Sequence, residues 1–271
     1  GKPQIQFTQN WPRLDGATAA YPIYASAFYA LSVIPEDFHV WDYLDNSRTQ
    51  EAYNKIVNGD ADIIFVAQPS DGQKKRAEKS GVTLLYTPFA REAFVFIVNA
   101  DNPVNSLTEQ QVRDIFSGAI TNWRAVGGDD QEIQTWQRPE DSGSQTVMLS
   151  QVMKNVRMIS PQETEVASVM EGMINVVAEY RNTKNAIGYT FRYYATQMNA
   201  DKNIKLLAIN GIAPTAENIR NDKYPYIVDA LMVTRENTTS ETQKLVEWFL
   251  TPQGQSLVED VGYVPMDKTL H

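Results

Sequence analysis

The strongest constraint on the fold of this chain is a regular alternation of helix-like and strand-like segments. Residues 49–59, TQEAYNKIVNG, have helical spacing and end at a glycine, and residues 61–67, ADIIFVA, follow as a continuous apolar run. Such a run is typical of a strand buried on both faces. Residues 93–99, AFVFIVN, repeat the strand pattern, and residues 108–118, TEQQVRDIFSG, repeat the helix pattern. The alternation predicts an α/β fold with mostly parallel sheets flanked by helices.

The remaining segments are interpreted by the same periodicities. We predict strands at 38–44 and 82–89, a solvated helix at 72–81, a helix at 164–180, and helices near 240–250 and after Pro252. The helix at 164–180 carries an apolar stripe that predicts core packing, formed by Val166, Val169, Met170, Met173, Ile174 and Val177.

Composition excludes several classes of function. The 271 residues include no cysteine, which excludes disulfides, thiolate metal sites and cysteine nucleophiles. The histidines are His39 and His271, too few for a His-rich metal site, and we expect no metal or cofactor. The net charge of −9 argues against nucleic acid as a partner, because duplex binding depends on a basic face. No apolar run approaches the roughly 18 residues of a membrane span.

Four junctions between predicted strands and helices are rich in hydroxyl groups and glycine. They are residues 15–24, 44–53, 66–72 and 138–146. Ligands of α/β folds bind beyond the carboxyl ends of parallel strands, where helices begin. The first turn of a helix presents unpaired N–H groups and the positive end of the helix dipole, which together favour anions. The junctions are therefore candidate anion-binding loops.

The junction at residues 138–146, RPEDSGSQT, combines most of this chemistry. Arg138 offers a planar fork of donors that suits carboxylate or phosphate-like oxygens. Gly143 lets the backbone approach a ligand closely, and Ser142 and Ser144 add hydroxyl donors. The loop therefore resembles an oxyanion-binding site.

Helix capping is an alternative explanation for the same residues. Serine, threonine and aspartate are the preferred N-cap residues, so Ser142, Thr18 and either Ser47 or Thr49 could simply begin helices. Arg138 could likewise form a surface ion pair. The residues alone leave these alternatives open.

The sequence from about Asp15 to Pro265 resembles the phosphate-binding proteins of ABC transporters, which have the type II periplasmic-binding-protein fold. DGATAAYPIYASAF resembles the first ligand loop, and RPEDSGSQT matches an Arg-x-x-x-Ser-Gly-Ser/Thr oxyanion loop. The most specific match is the block EAFVFIVNADNPVNSLTEQQVRDIFSGAITNWRAVGGDD. NAIGYTF and LAINGIAPTAENIRNDKYP follow in the family order.

This resemblance implies two lobes that close over one oxyanion in the cleft between them. Lobe one would comprise residues 1–93 and 193–271, and lobe two residues 94–192. The protein would be a non-enzymatic, extracytoplasmic bacterial binding protein that captures phosphate for an ABC-transporter permease. It would be a monomer that meets the membrane only through an N-terminal lipoprotein anchor removed from this chain.

The resemblance also implies the ligand residues. Lobe one would contribute Thr18, Ala19, Ser47, Thr49 and Gln68, and lobe two Arg138, Ser142, Gly143 and Ser144. Gln68 marks a departure, because phosphate-specific members carry an aspartate there that accepts a hydrogen bond from protonated phosphate. Sulfate cannot donate that bond near neutrality. Asp15, Asp71 and Asp141 are the alternative acceptors.

Two other functions use the same residues. The fold could serve a sensor or adhesion module that binds an oxyanion or a phosphorylated metabolite. A hydrolase with Ser142 as nucleophile would need a base, for which His39 is the histidine candidate, and the segment lacks the Gly-x-Ser-x-Gly elbow.

Overall fold

The computed structural model describes residues 1–161, 166–178, 185–200 and 202–266. They form two compact units. Unit 1 comprises Gly1–Arg91 and Asp229–His271, and unit 2 comprises Glu92–Val228. No helix among the described residues has the length and hydropathy needed to cross a membrane.

Ten strands and nine α-helices occur within the described ranges. The strands are β1 Leu14–Gly16, β2 Ile63–Val66, β3 Leu84–Asn99, β4 Ser106–Leu107, β5 Gln134–Thr135, β6 Ala186–Phe191, β7 Ile204–Leu206, β8 Ala208–Ile209, β9 Ile227–Arg235 and β10 Val264–Pro265. The helices are α1 Tyr21–Leu31, α2 Thr49–Asn58, α3 Asp71–Lys79, α4 Glu109–Ser117, α5 Gly143–Val147, α6 Met170–Ala178, α7 Ala216–Arg220, α8 Ser240–Phe249 and α9 Pro252–Val261.

The sheets confirm the α/β class but are mixed, so the expectation of mostly parallel pairing is wrong. In unit 1, β1 runs parallel to β2, while β2 pairs antiparallel with β9 and β10 pairs antiparallel with β3. In unit 2, β5 is parallel to β6 and β4 to β8, whereas β3 is antiparallel to β6 and β7. Each of these four antiparallel pairs involves β3 or β9, the long strands that carry the chain from one unit to the other.

Local signals explain why the helices begin and end where they do. Thr108 and Gln111 form a reciprocal capping box at the start of α4, and Gly118 ends the helix in the left-handed region, at φ 88°. Gly59 ends α2 in the same way, at φ 82°. The predicted helices at 49–59 and 108–118 are confirmed, and so is the buried strand within 61–67, which is β2.

The apolar strands form the cores. Ile63, Ile64 and Phe65 of β2 are fully buried in unit 1, as are Phe94 and Phe96 of β3 in unit 2. The segments predicted as strands at 82–89 and 93–99 are one continuous strand, β3. Burying apolar side chains on this scale is the main favourable contribution to folding.

The prediction of a strand at 38–44 is wrong. Val40–Asp42 form a short 3₁₀ turn instead. The rings of Phe38 and Tyr43 stack with centroids 4.7 Å apart, and Trp11 packs edge-on against Phe38 at 4.7 Å. The aromatic residues therefore build a local cluster, and their alternation reflects that packing rather than a sheet.

The helix predicted at 164–180 is shorter than expected. The described helix α6 spans Met170–Ala178, and the predicted residues 164–165 and 179–180 lie outside the described residues. Val166 precedes the helix and bridges to Gln137. Of the predicted stripe, Met173, Ile174 and Val177 are fully buried, which confirms their role in the core.

The predicted boundary at residue 193 also differs from the structure, which ends unit 2 at Val228. Strand β7 pairs with the end of β3, from Ile97 to Asn99. The hydroxyl of Tyr224 donates to the carbonyl of Phe94 at 2.8 Å, and the Phe94 N–H donates to the carbonyl of Tyr226 at 2.9 Å. These bonds attach residues 193–228 to unit 2.

Candidate functional site

The first candidate loop of unit 1 leaves β1 and forms a 3₁₀ turn over Thr18–Ala20. The Ala17 N–H donates to the carbonyl of Phe65 at 2.9 Å, which holds the loop against β2. Tyr263 donates its hydroxyl to the Ala19 carbonyl at 2.5 Å. Thr18 is partly exposed and makes no capping bond, so the capping interpretation does not apply to it.

Asp15, at the centre of β1, is the buried carboxylate of this region, with 1% exposure. Its Oδ1 accepts the N–H of Gly16 at 2.7 Å and the N–H of Ser47 at 2.8 Å. Its Oδ2 accepts the Ser47 hydroxyl at 2.5 Å and lies 3.1 Å from the Lys55 ammonium. Asp15 therefore joins the first candidate loop to the second.

Lys55 on α2 links this carboxylate to another. Its Nζ lies 2.5 Å from Oδ2 of Asp45, and the Asp45 carbonyl accepts the Tyr24 hydroxyl at 2.6 Å. The hydrogen bond from Lys55, opposed by burial, lowers the pKa of Asp45. Burial lowers the pKa of Lys55, but the hydrogen bonds to Asp45 and Asp15 outweigh it and leave that pKa raised. Asp15, Lys55 and Asp45 thus form a charged network that contacts Ser47 through Asp15.

The start of α2 is strained rather than capped. Arg48 occupies the N-cap position with φ 77° and ψ 167°, a conformation that is essentially restricted to glycine, and it makes no side-chain capping bond. Ser47 and Thr49, both partly exposed, flank this residue. Neither of them caps α2, so the capping interpretation fails here as well.

The third loop of unit 1 follows β2. Gln68 is partly exposed, whereas Asp71 is exposed in the first turn of α3. Ser70 caps α3 by accepting the Gln73 N–H at 3.0 Å. Two of the alternative acceptors lie in unit 1. Asp15 is hydrogen-bonded to Ser47, a predicted ligand residue, whereas Asp71 is exposed to solvent in the first turn of α3.

In unit 2, Arg138 lies just beyond β5 and is 9% exposed. Its Nε donates to the carbonyl of Ala167 at 2.8 Å. Its backbone N–H is shared between Oε1 of Gln145 and the hydroxyl of Tyr189, each at 3.2 Å. Tyr189 also donates that hydroxyl to Gln145, and burial raises the pKa of Tyr189, which keeps the phenol protonated. These contacts hold the arginine as a buried, oriented donor.

The Ser-Gly-Ser segment begins a helix, as the sequence predicted. Ser142 is the N-cap of α5 and accepts the Gln145 N–H at 3.1 Å, which confirms the capping interpretation for this residue. Gly143 and Ser144 are the first residues of α5, where N–H groups have no carbonyl partner within the helix. Asp141 precedes them at φ 69°, so each unit has a non-glycine residue with positive φ in its candidate loop.

The structure thus groups the predicted residues into two sets. In unit 1, Ser47 and Asp15 are in direct contact, and in unit 2 Arg138 and Ser142 are linked through Gln145. The sequence analysis missed Lys55, Gln145 and Tyr189, whose positions in α2, α5 and β6 suggested only helix surface or core. The three-residue spacing from Ser142 to Gln145 could have indicated Gln145, because N-cap side chains contact that position.

The structure gives little support to a hydrolase or to a metal site. His39 is exposed in unit 1, and the Ser142 hydroxyl of unit 2 is occupied as a capping acceptor. Within the ranges that the structure describes, no group of three or more His, Asp or Glu side chains could hold a metal ion.

Comparisons with known proteins agree with this fold. Among solved structures, the chain is similar to a Clostridium perfringens protein crystallised with bound phosphate, with a TM-score of 0.75 and 22% identity over 95% of this chain and 100% of that one. It is also similar to an ABC-type phosphate transport receptor from Vibrio cholerae, with a TM-score of 0.65 and 22% identity over 93% of this chain and 99% of that one. At these identities the likeness shows the fold alone.

Curated relatives cover part of the chain. The phosphate-binding protein PstS of Borreliella burgdorferi is 26% identical over 66% of this chain, and that of Bacillus subtilis is 29% identical over 62%. The matches span 64% and 53% of those two proteins, less than two thirds of their lengths. The family model for the PBP superfamily domain matches residues 12–253. The chain therefore belongs to the PBP superfamily and has the type II periplasmic-binding-protein fold.

Proposed function

We propose that this protein binds inorganic phosphate outside the cytoplasm and delivers it to an ABC-transporter permease. The observation that carries the proposal is the loop of unit 2, in which a buried, oriented Arg138 lies next to the first turn of α5. A guanidinium and helix N-terminal N–H groups are both suited to phosphate oxygens. Relatives named as phosphate-binding proteins and a structural neighbour that holds phosphate support the choice of anion.

The predicted ligand residues are part of this proposal. They are Arg138, Ser142, Gly143 and Ser144 of unit 2, and Thr18, Ala19, Ser47, Thr49 and Gln68 of unit 1. A buried anion can be stabilised by oriented dipoles and one guanidinium, so the protein does not need a basic surface. Its net charge of −9 implies that long-range attraction does not speed capture.

The biological setting belongs to the same proposal. We place the protein on the outer side of a bacterial cell membrane, held by an N-terminal anchor upstream of Gly1, and acting as a monomer that binds without chemical conversion. The names of two structural neighbours, a phosphate ABC transporter substrate-binding protein and an ABC-type phosphate transport receptor, support a transport role.

Calorimetric titration of the ligand-stripped protein with phosphate tests the proposal. The Arg138→Ala variant should lose roughly 30-fold to several-thousand-fold in affinity, because removing a buried, hydrogen-bonded charge costs about 2–5 kcal/mol. The matched control is Arg124→Ala in the same unit, whose side chain is 72% exposed and pairs with Asp130 at 3.5 Å. This control should bind like the wild type.

The proposal fails if the wild-type protein does not bind phosphate. The site assignment alone fails if Arg138→Ala, folded according to its circular dichroism spectrum, keeps the wild-type affinity.

A further inference from the structure

The hydroxyl of Ser47 already serves as a hydrogen-bond donor inside unit 1. It donates to Oδ2 of Asp15 at 2.5 Å. A serine hydroxyl carries one proton and two acceptor lone pairs. With its proton directed at Asp15, Ser47 can offer a ligand only its lone pairs.

The other neighbours of Asp15 keep the carboxylate in its accepting role. The N–H groups of Gly16 and Ser47 point at Oδ1, at 2.7 and 2.8 Å, and the Lys55 ammonium lies 3.1 Å from Oδ2. Backbone N–H and ammonium groups can only donate, so each requires an accepting oxygen. Turning the Ser47 proton away would leave a hydrogen bond unmade at a carboxylate that is 1% exposed, which is unfavourable.

We propose that Ser47, with its proton held by Asp15, selects oxyanions that carry a proton of their own. This inference rests on the proposed function, in which Ser47 contacts the bound anion. A ligand P–OH group can donate to the Ser47 oxygen, whereas an unprotonated oxygen would face lone pairs and lack a hydrogen bond. Phosphate and arsenate retain a proton near neutral pH and sulfate does not.

Ser47 and Asp15 would thereby supply selectivity in a protein that has the uncharged Gln68 at the position of the expected aspartate. Asp15 contacts Ser47, and Lys55 balances its negative charge, so the proposal requires no carboxylate in direct contact with the anion. Asp15 and Lys55 do not contact the ligand in this proposal. They are positioning residues, because they fix the orientation of the Ser47 hydroxyl.

The test compares calorimetric affinities for phosphate, arsenate and sulfate across Ser47 variants. The Ser47→Ala variant should lose roughly tenfold to hundredfold in affinity for phosphate and arsenate, the range for a hydrogen bond to a charged group, with little change for sulfate. The phosphate-to-sulfate ratio should fall accordingly. Ser47→Thr keeps a hydroxyl and should restore the ratio. The control is Ser26→Ala, whose exposed hydroxyl donates to the Pro22 carbonyl at 2.6 Å.

A second variant tests the proton orientation without removing Ser47. In Asp15→Asn, the two N–H groups at Oδ1 outnumber the single ammonium at Oδ2 and favour keeping the amide oxygen at the Oδ1 position. The amide NH₂ then faces the Ser47 oxygen, and Lys55 keeps its ion pair with Asp45. The Ser47 proton is then free to point toward the ligand, and sulfate binding should rise relative to phosphate. Circular dichroism establishes that each variant is folded, and either variant suffices if the other does not fold.

The outcomes separate the inference from the proposed function. A wild-type protein that does not bind phosphate overturns the proposed function and this inference with it. A wild type that binds phosphate, together with a folded Ser47→Ala or Asp15→Asn variant whose phosphate-to-sulfate ratio is unchanged, overturns this inference alone.

Discussion

The two units stabilise buried charge by different means. In unit 1, Asp15 has a counter-ion, the Lys55 ammonium at 3.1 Å, in addition to hydroxyl and N–H donors. In unit 2, Glu92 is 5% exposed and accepts backbone N–H groups of Ala93 at 2.8 Å and Tyr193 at 3.3 Å. Removing a charge from water is costly, and neutral dipoles offset that cost less completely than a close counter-charge.

Carboxyl groups in the two units also differ in their response to pH. Burial raises the pKa of Glu92 to about 7, although the N–H groups of Ala93 and Tyr193 and the charge of Arg192 oppose the shift. In unit 1 the hydrogen bond from Lys55 lowers the pKa of Asp45. Near neutral pH, therefore, the buried carboxyl of unit 2 changes its charge while the Asp45–Lys55 pair stays ionised.

The largest expected effect comes from Glu92→Gln. The folded protein holds the Glu92 proton up to about pH 7, whereas an ordinary glutamate releases it near 4.5. The unfolded state therefore binds fewer protons between these values, and the free energy of unfolding falls as pH rises, by up to about 3 kcal/mol. The side chain of the Glu92→Gln variant cannot ionise, so the variant should not lose this stability as pH rises. Urea unfolding at pH 5 and pH 8 measures the free energy of unfolding of both proteins.

Glu132→Gln is the control for this change, because Glu132 is exposed in the same unit. Its pH profile should match that of the wild type. A Glu92→Gln profile as steep as the wild-type profile would show that another group causes the pH dependence, and the contrast between the units would no longer hold.

Tyr189→Phe tests whether the Tyr189 hydroxyl helps to orient Arg138. The change removes the hydroxyl that contacts both the Arg138 N–H and Gln145. We expect a loss of about 1–2 kcal/mol in the free energy of unfolding, together with a several-fold loss of phosphate affinity. Unfolding experiments and calorimetry on the same sample measure the two effects.

Tyr224→Phe provides the matched comparison. Tyr224 is also buried in unit 2, and its hydroxyl donates to the Phe94 carbonyl at 2.8 Å. This variant should lose similar stability while binding phosphate normally. Equal losses of affinity in both variants would mean that the Tyr189 hydroxyl has no specific role at Arg138.

The smallest expected effect concerns the positive φ angle of a non-glycine residue, which occurs in a candidate loop of each unit. Arg48 in unit 1 has φ 77° and Asp141 in unit 2 has φ 69°. Arg48→Gly relieves the strain but adds freedom to the unfolded chain, so we expect a net gain of up to about 1 kcal/mol in the free energy of unfolding. Glu51→Gly, inside α2, should instead lose about 1 kcal/mol. A destabilised Arg48→Gly variant would show that side-chain contacts of Arg48 outweigh the strain.

Local sequence patterns were sufficient for much of the fold. The capping box of Thr108 and Gln111, the glycine ends of α2 and α4, and the buried strand β2 depend on residues within a few positions of one another. The start of α5 at Ser142 is likewise a local signal. Such patterns are visible in the sequence because capping and periodic burial act over one or two helical turns.

Tertiary structure alone decided which distant residues meet. Asp15 contacts Ser47 across 32 positions, and Tyr189 contacts Arg138 across 51. It also placed the end of unit 2 at Val228 and turned the apolar segment near Phe38 into an aromatic cluster. Periodicity reports that a side chain is buried but not which partner it meets. The sequence thus determined which loops carry hydroxyl groups, glycine and arginine, and packing determined how the Ser47 hydroxyl and the Arg138 side chain are oriented.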